Sequence, residues 1–126
     1  MSKKLSPHVT IYKFPITAIS SIATRLSGVY LSGLFIGGGI IKLVNKEKEI
    51  LNIYNDLSNL PKKIFHYSVI APITYHTYGG MRHFVWDKFP KQLLNNKLVA
   101  KSSYFLFGAT AISTLAIETL ITKIEK

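Results

Sequence analysis

The residues best suited to chemistry in this chain are histidines, arginines and hydroxyls set inside apolar stretches. His76 lies in the interior half of one such stretch, with Gly79 and Gly80 on the adjoining turn. Histidine in hydrocarbon is costly without a partner or a purpose. Glycine at i+4 would leave room for a flat macrocycle against the helix while His76 Nε2 reaches its iron. The plainer alternative is a histidine bonded to a neighbouring helix. There are no cysteines, which excludes disulfides, thiolate metal sites, covalent haem attachment through C-x-x-C-H and iron-sulfur ligation by this chain. Any redox centre must use histidine.

A second constellation begins with Ser21 and Arg25, four apart and therefore on one face of a helix. A quinone suits them, because its carbonyl oxygens need hydrogen-bond donors and one-electron reduction makes an anion that a permanently charged guanidinium stabilises. Arginine is not the proton donor at its pKa, so protons must come through Ser21, water or a residue of another chain. Arg82, His83, Trp86 and Asp87 form a further polar group. Interfacial snorkelling beside a tryptophan belt would account for Arg82, Trp86 and Asp87, but less readily for Ser21 and Arg25.

The elements that must position these residues are three apolar blocks, near 16–44, 64–86 and 98–122, each of bilayer-spanning length and separated by lysine-rich stretches. The expectation is an all-α integral membrane fold of three transmembrane helices in one domain, 1–126. Pro7 and Pro15 disfavour helix before them, so 1–15 should run extended along the membrane face, with Pro15 suited to a first helical turn. Gly33 and Gly37 form a G-x-x-x-G pair that permits close helix approach. Residues 45–63 read as a polar connection with a short amphipathic helix around 50–57, and Pro61 would open the next helix. The middle block is the most polar, so its polar side should face protein or cofactor, and Pro72 would kink it. Residues 88–101 form a second basic connection, and Glu118 near the end of the third block is its one acid.

The balance of 16 Lys+Arg against 6 Asp+Glu would suit a nucleic-acid binder if the cations lay on a folded polar surface. They sit instead at the block ends, where they meet headgroups and fix orientation. Nucleic acid is thereby excluded as a partner, and the lipid membrane takes its place. With three crossings, nine of the Lys+Arg fall on the side of the amino terminus and seven on the other. That bias places the amino terminus on the matrix or cytoplasmic side. The opening residues contain no apolar signal core and no long Arg-rich amphipathic stretch. The expectation is a chain that is bacterial, organelle-encoded, imported by internal signals or given in mature form.

This topology brings Ser21 and Arg25 to the same membrane level as Arg82, His83, Trp86 and Asp87. His76 and His83 share a side of their helix but are separated by about 10 Å of rise, too far to clasp one iron. Blocks one and three contain no histidine, His66 is farther still and His8 lies outside the membrane. A bis-histidine haem would need its second ligand from another polypeptide.

The pattern S-P-H-x-x-I-Y at 6–12, S-x-x-x-R-x-x-G at 21–28 and H-x-x-x-G-x-R-H-x-x-x-D at 76–87 resembles the cytochrome b anchor subunits of succinate dehydrogenase, respiratory complex II. The likeness runs from about residue 3 to residue 87, and the combination is specific where each piece alone is weak. It implies that His76 is an axial ligand of haem b and that Ser21 and Arg25 line the ubiquinone pocket. Asp87 and His83, with Arg82, would support that pocket or its proton path. It also implies a second small membrane-anchor subunit giving the other haem ligand, with flavoprotein and iron-sulfur subunits docked on the inner face. The setting would be electron transport and the tricarboxylic acid cycle at the mitochondrial inner membrane, or at a bacterial cytoplasmic membrane. No dehydrogenase active site is expected in this chain alone.

Thr24 stands where the family usually has histidine near a haem propionate, and Lys3 and Lys4 stand where it commonly has Arg-Pro. Two alternatives share the architecture: the anchor of a fumarate reductase, and a structural assembly subunit without haem.

Overall fold

The computed structural model describes residues 13–124. Residues 1–12, which carry the expected extended segment, His8 and the first motif, lie outside the described residues. The described chain is helical throughout: α1 Ile16–Leu43, α2 Glu47–Asp56, α3 Asn59–Lys88, α4 Pro90–Leu93 and α5 Asn96–Ile124. The long helices α1, α3 and α5 hold 28, 30 and 29 residues. Each is therefore about 42–45 Å long, more than the hydrocarbon thickness of a bilayer. The middle helix α3 packs against both others.

α1 starts after Pro15, which holds extended backbone as the residue before the first turn. α2 begins earlier than the pattern at 50–57 indicates, because Glu47 and Glu49 in its first turn favour the positive end of the helix dipole. α3 begins at Asn59, five residues before the apolar block. Pro61 is thus its third residue and does not open it, which costs little since the first N–H groups of a helix have no intrahelical acceptor. The helix continues through Pro72. The basic connection contains a single turn, α4, where Pro90 takes the first position.

The interior is polar and the exterior apolar. Among the described residues the buried polar side chains are Ser20, Thr24, Ser27, Thr74, Ser103, Thr110, Thr114 and Glu118, and the buried apolar ones are Tyr75 and Leu106. Large side chains such as Phe35 and Leu43 are 81% and 83% exposed. In water this distribution would be unstable, because burial of apolar surface is what drives soluble folding. In lipid it is the natural one: apolar side chains gain nothing by turning inward, while small and hydroxyl residues bring helices close and bond across them. By length and composition α1 and α5 are apolar enough to cross a membrane.

Among the described residues of this chain Gly33 and Gly37 do not bring helices together, since a Cβ at either would meet nothing within 4 Å. The close approach of α1 and α3 falls instead at Gly28 and Gly79, where a Cβ would come within 2.7 Å of His76 Cε1 and 2.8 Å of the Thr24 hydroxyl.

Candidate functional site

The open face shared by α1 and α3 is built around His76. Its Nδ1–H donates to the backbone carbonyl of Thr24 at 3.0 Å. Ser27, one turn on, donates its hydroxyl to the same carbonyl at 2.8 Å and lies 3.3 Å from His76 Nδ1. A proton held on Nδ1 leaves the lone pair on Nε2. His76 itself is exposed on the helix surface, and a Cβ at Gly80 would meet open space. The imidazole is thus fixed on one edge and open on the other, which is how a histidine is prepared to bind a metal. No cluster of three or more His, Cys, Asp or Glu able to hold a bare metal ion is present among the described residues.

Ser21 is half-buried and Arg25 exposed, two turns and one turn before Gly28 on α1 respectively. Among the described residues Arg25 has no carboxylate partner; the ion pairs there are Lys46 with Glu49 and His66 with Glu118. His83 is exposed on α3 and lies within electrostatic reach of both Arg25 and Arg82. Its ring meets Trp86 edge-on at 5.2 Å between centroids. Asp87 is exposed, with no hydrogen bond to Ser21 or Arg25. Ser21, Arg25 and His83 therefore gather at one end of the α1–α3 face, with His76 nearer the middle.

Arg82 is placed differently. It turns into the bundle, donating from Nη1 to Ser103 Oγ at 3.0 Å and from Nη1 and Nη2 to Ser20 Oγ at 3.3 Å. The two serine hydroxyls meet at 3.0 Å, and the Tyr75 hydroxyl donates to the Ser20 carbonyl at 3.1 Å. The guanidinium stacks on Trp86 at 4.5 Å from the ring centroid, and its Nε is buried without an acceptor. No carboxylate is close enough to pair with it among the described residues. A cation held by hydroxyls, a carbonyl dipole nearby and an aromatic face is a clamp across three helices, and this accounts for Arg82 and Trp86 better than snorkelling does.

Thr24 faces the α1–α3 seam rather than the open face. It is buried, donates to the Ser20 carbonyl at 2.9 Å and packs on Gly79. Its contact with His76 is through the backbone, so it does not depend on the side chain at that position.

A third group lies at the other end of the bundle. His66 donates from Nδ1 to Glu118 Oε2 at 3.0 Å, and its Nε2 accepts from the Tyr54 hydroxyl at 2.6 Å. Thr122 Oγ1 lies 3.4 Å from Glu118 Oε1. Glu118 is 3% exposed. This chain of groups ties α2 to α3 and α5. The sequence signal for it was a lone acid within an apolar block, which requires a partner. Ser20 and Ser103 gave no such signal, because serines are frequent in membrane helices and only their meeting across α1 and α5 gives them a role.

The chain matches the family model of the succinate dehydrogenase/fumarate reductase transmembrane subunit over residues 1–117. It is 31% identical over 112 residues to a mitochondrial succinate dehydrogenase cytochrome b560 subunit of Dictyostelium discoideum, covering 87% of this chain and 58% of that one. Likewise it is 32% identical to the cytochrome b560 subunit of Porphyra purpurea over 86% of this chain and 88% of that one. With the Reclinomonas americana subunit the identity is 30%, over 91% and 83%. The chain thus spans little more than half the length of some curated relatives, 58% for Dictyostelium and 53% for Sus scrofa. A match over 117 residues, a bundle with its polar groups inside, and an outward histidine seated on a neighbouring helix agree: this chain belongs to the succinate dehydrogenase/fumarate reductase transmembrane subunits.

Proposed function

We propose that this chain is the cytochrome b anchor subunit of a succinate:ubiquinone oxidoreductase. α1, α3 and α5 would form three transmembrane spans, with the amino terminus on the matrix or cytoplasmic side. α3 can cross despite its polar residues because Thr74, Tyr75, Tyr78 and Arg82 bond to α1 or α5 rather than facing lipid.

The observation that carries the reading is the seat of His76. Haem b fits it on three grounds: the Thr24 carbonyl holds the proton on Nδ1, the missing side chain of Gly28 lets the ring seat against α1, and Gly80 leaves the helix surface beside it open. Bound there, haem b supplies a one-electron redox centre. His76 would hold its iron through Nε2, and a small partner anchor subunit would supply the other ligand. Thr24 lies in the helix seam, its hydroxyl taken by the Ser20 carbonyl.

Ser21 and Arg25 would donate hydrogen bonds to the carbonyl oxygens of ubiquinone, with Arg25 favouring the negative charge that reduction places there. Quinone takes two electrons and two protons to become quinol. The electrons would come from succinate through the flavoprotein and iron-sulfur subunits, and the protons through Ser21, water or a partner residue. His83, beside Arg25, would support the proton path, with Asp87 farther along the same helix end. The setting is the mitochondrial inner membrane, or the cytoplasmic membrane of a bacterium. A fumarate reductase anchor has the same architecture, and measured quinone specificity separates the two.

A dithionite-reduced minus oxidised spectrum of the purified complex tests the assignment. The expected result is b-type bands that are lost in His76→Ala. Bands that survive that substitution unchanged overturn the ligand, and absence of bands in the parent complex identifies a haem-less structural subunit.

A further inference from the structure

The opposite side of α3 carries a groove that neither His76 nor Ser21 and Arg25 enter. A cavity of about 430 Å³ opens between α3 and α5, with Leu93 of α4 also lining it. Its walls are Tyr78, Met81, Val85 and Trp86 from α3 with Phe105 and Leu106 from α5. From Tyr78 to Trp86 it follows roughly 12 Å of helix. Arg82 also lines it, but its Nη1 and Nη2 are taken by Ser20 and Ser103 on the inner side and its Nε is buried, so the exposed wall of the groove is apolar. Such a channel suits a hydrocarbon chain better than a polar ring.

The connection that carries Leu93 decides which hydrocarbon. Between residues 88 and 101 stand Lys88, Lys91, Lys97 and Lys101, all exposed, with no acid among them. Lys91 sits in the α4 turn beside Leu93, and Lys101 precedes Ser102 on the groove wall. A fatty-acyl tail in the groove would emerge under these lysines, where a negatively charged headgroup is favoured.

We propose that the α3–α5 groove is a binding site for an anionic phospholipid, one acyl chain lying along Trp86 and Tyr78 and the phosphate held by the lysines of the α4 connection. The site requires the membrane setting of the family but neither the haem nor the quinone assignment.

Trp86 is the only tryptophan of the chain, and it lines the groove. The assembled complex is reconstituted in phosphatidylcholine vesicles with a fixed fraction of brominated phosphatidylglycerol or brominated phosphatidylcholine. The Trp86 fluorescence is the difference between the parent and Trp86→Phe complexes. Brominated phosphatidylglycerol should quench it with a preference of roughly fivefold, the size that one surface lysine contributes toward an anionic headgroup. The pair Lys91→Gln and Lys97→Gln, both exposed and outside the helix seams, should abolish the preference while leaving quenching itself. Equal quenching by the two lipids, or a preference that survives the lysine substitutions, overturns the headgroup assignment. No quenching by either lipid means that protein covers the groove. Relief of quenching by added long-chain quinone but not by unlabelled phosphatidylglycerol gives the groove to a quinone tail; either result refutes the proposal.

Discussion

Gly28 of α1 lies directly behind the imidazole of His76 on α3, so that a Cβ at position 28 would come within 2.7 Å of Cε1 and 3.2 Å of Nδ1. The ring cannot retreat without breaking its bond to the Thr24 carbonyl. Gly28→Ala should therefore move His76 outward, at an overpacking cost of about 1–3 kcal/mol, and shift or broaden the b-type bands. Gly33→Ala, where a Cβ meets nothing, should leave the spectrum as it is. Identical spectra for both variants would show that His76 does not hold the chromophore.

Because His76 uses the carbonyl and not the side chain of residue 24, Thr24→Ser should keep the Nδ1 bond and the optical bands, with at most a small loss of thermal stability from the methyl that packs on Gly79. A loss of bands comparable to His76→Ala would refute this.

Arg25 is exposed and unpaired among the described residues, so its removal should not disturb the bundle. Arg25→Ala should abolish quinone reduction while the complex still reduces an artificial dye at the soluble subunits. Arg25→Lys should recover part of the rate, since it restores the charge but not the fork of donors. Equal loss of quinone and dye activity would indicate misassembly instead.

The Arg82 clamp gives an inverted expectation. Removing both acceptors, Ser20→Ala with Ser103→Ala, leaves a buried guanidinium with no hydroxyl to receive it. Removing the cation by Arg82→Leu leaves two serines that still bond each other. The double serine variant should be the less stable in thermal unfolding in detergent, by about 1–3 kcal/mol, the cost of stranding a buried polar group. The reverse order would mean that water reaches Arg82.

Tyr54→Phe removes the one hydroxyl that reaches His66 from α2. Hydrogen exchange in α2 should rise several-fold while His66 and Glu118 remain paired and quinone reduction is unchanged. Protection of α2 that stays at the parent level would show that lipid, not this bond, holds the helix.

The single turn of α4 was not readable in the sequence, whereas long helices at the three apolar blocks were, because each apolar run is local. So was the need of the middle helix to face inward, since Tyr75, Tyr78 and Arg82 are intolerable in lipid unpaired. The sequence also singled out His76, Ser21 and Arg25 by type and spacing. What it left open was direction. Arg82 and His83 are neighbours in the chain, yet one clamps α1 to α5 and the other faces outward beside Arg25. Gly33 and Gly37 have the right spacing for a helix contact, but the contact formed at Gly28 and Gly79. Ser20 and Ser103 are 83 residues apart, and no local pattern can reveal that their hydroxyls meet. These features depend on how each helix is rotated about its axis. That rotation is set by the mutual fit of all three long helices, in which small residues allow approach and buried polar groups must find each other.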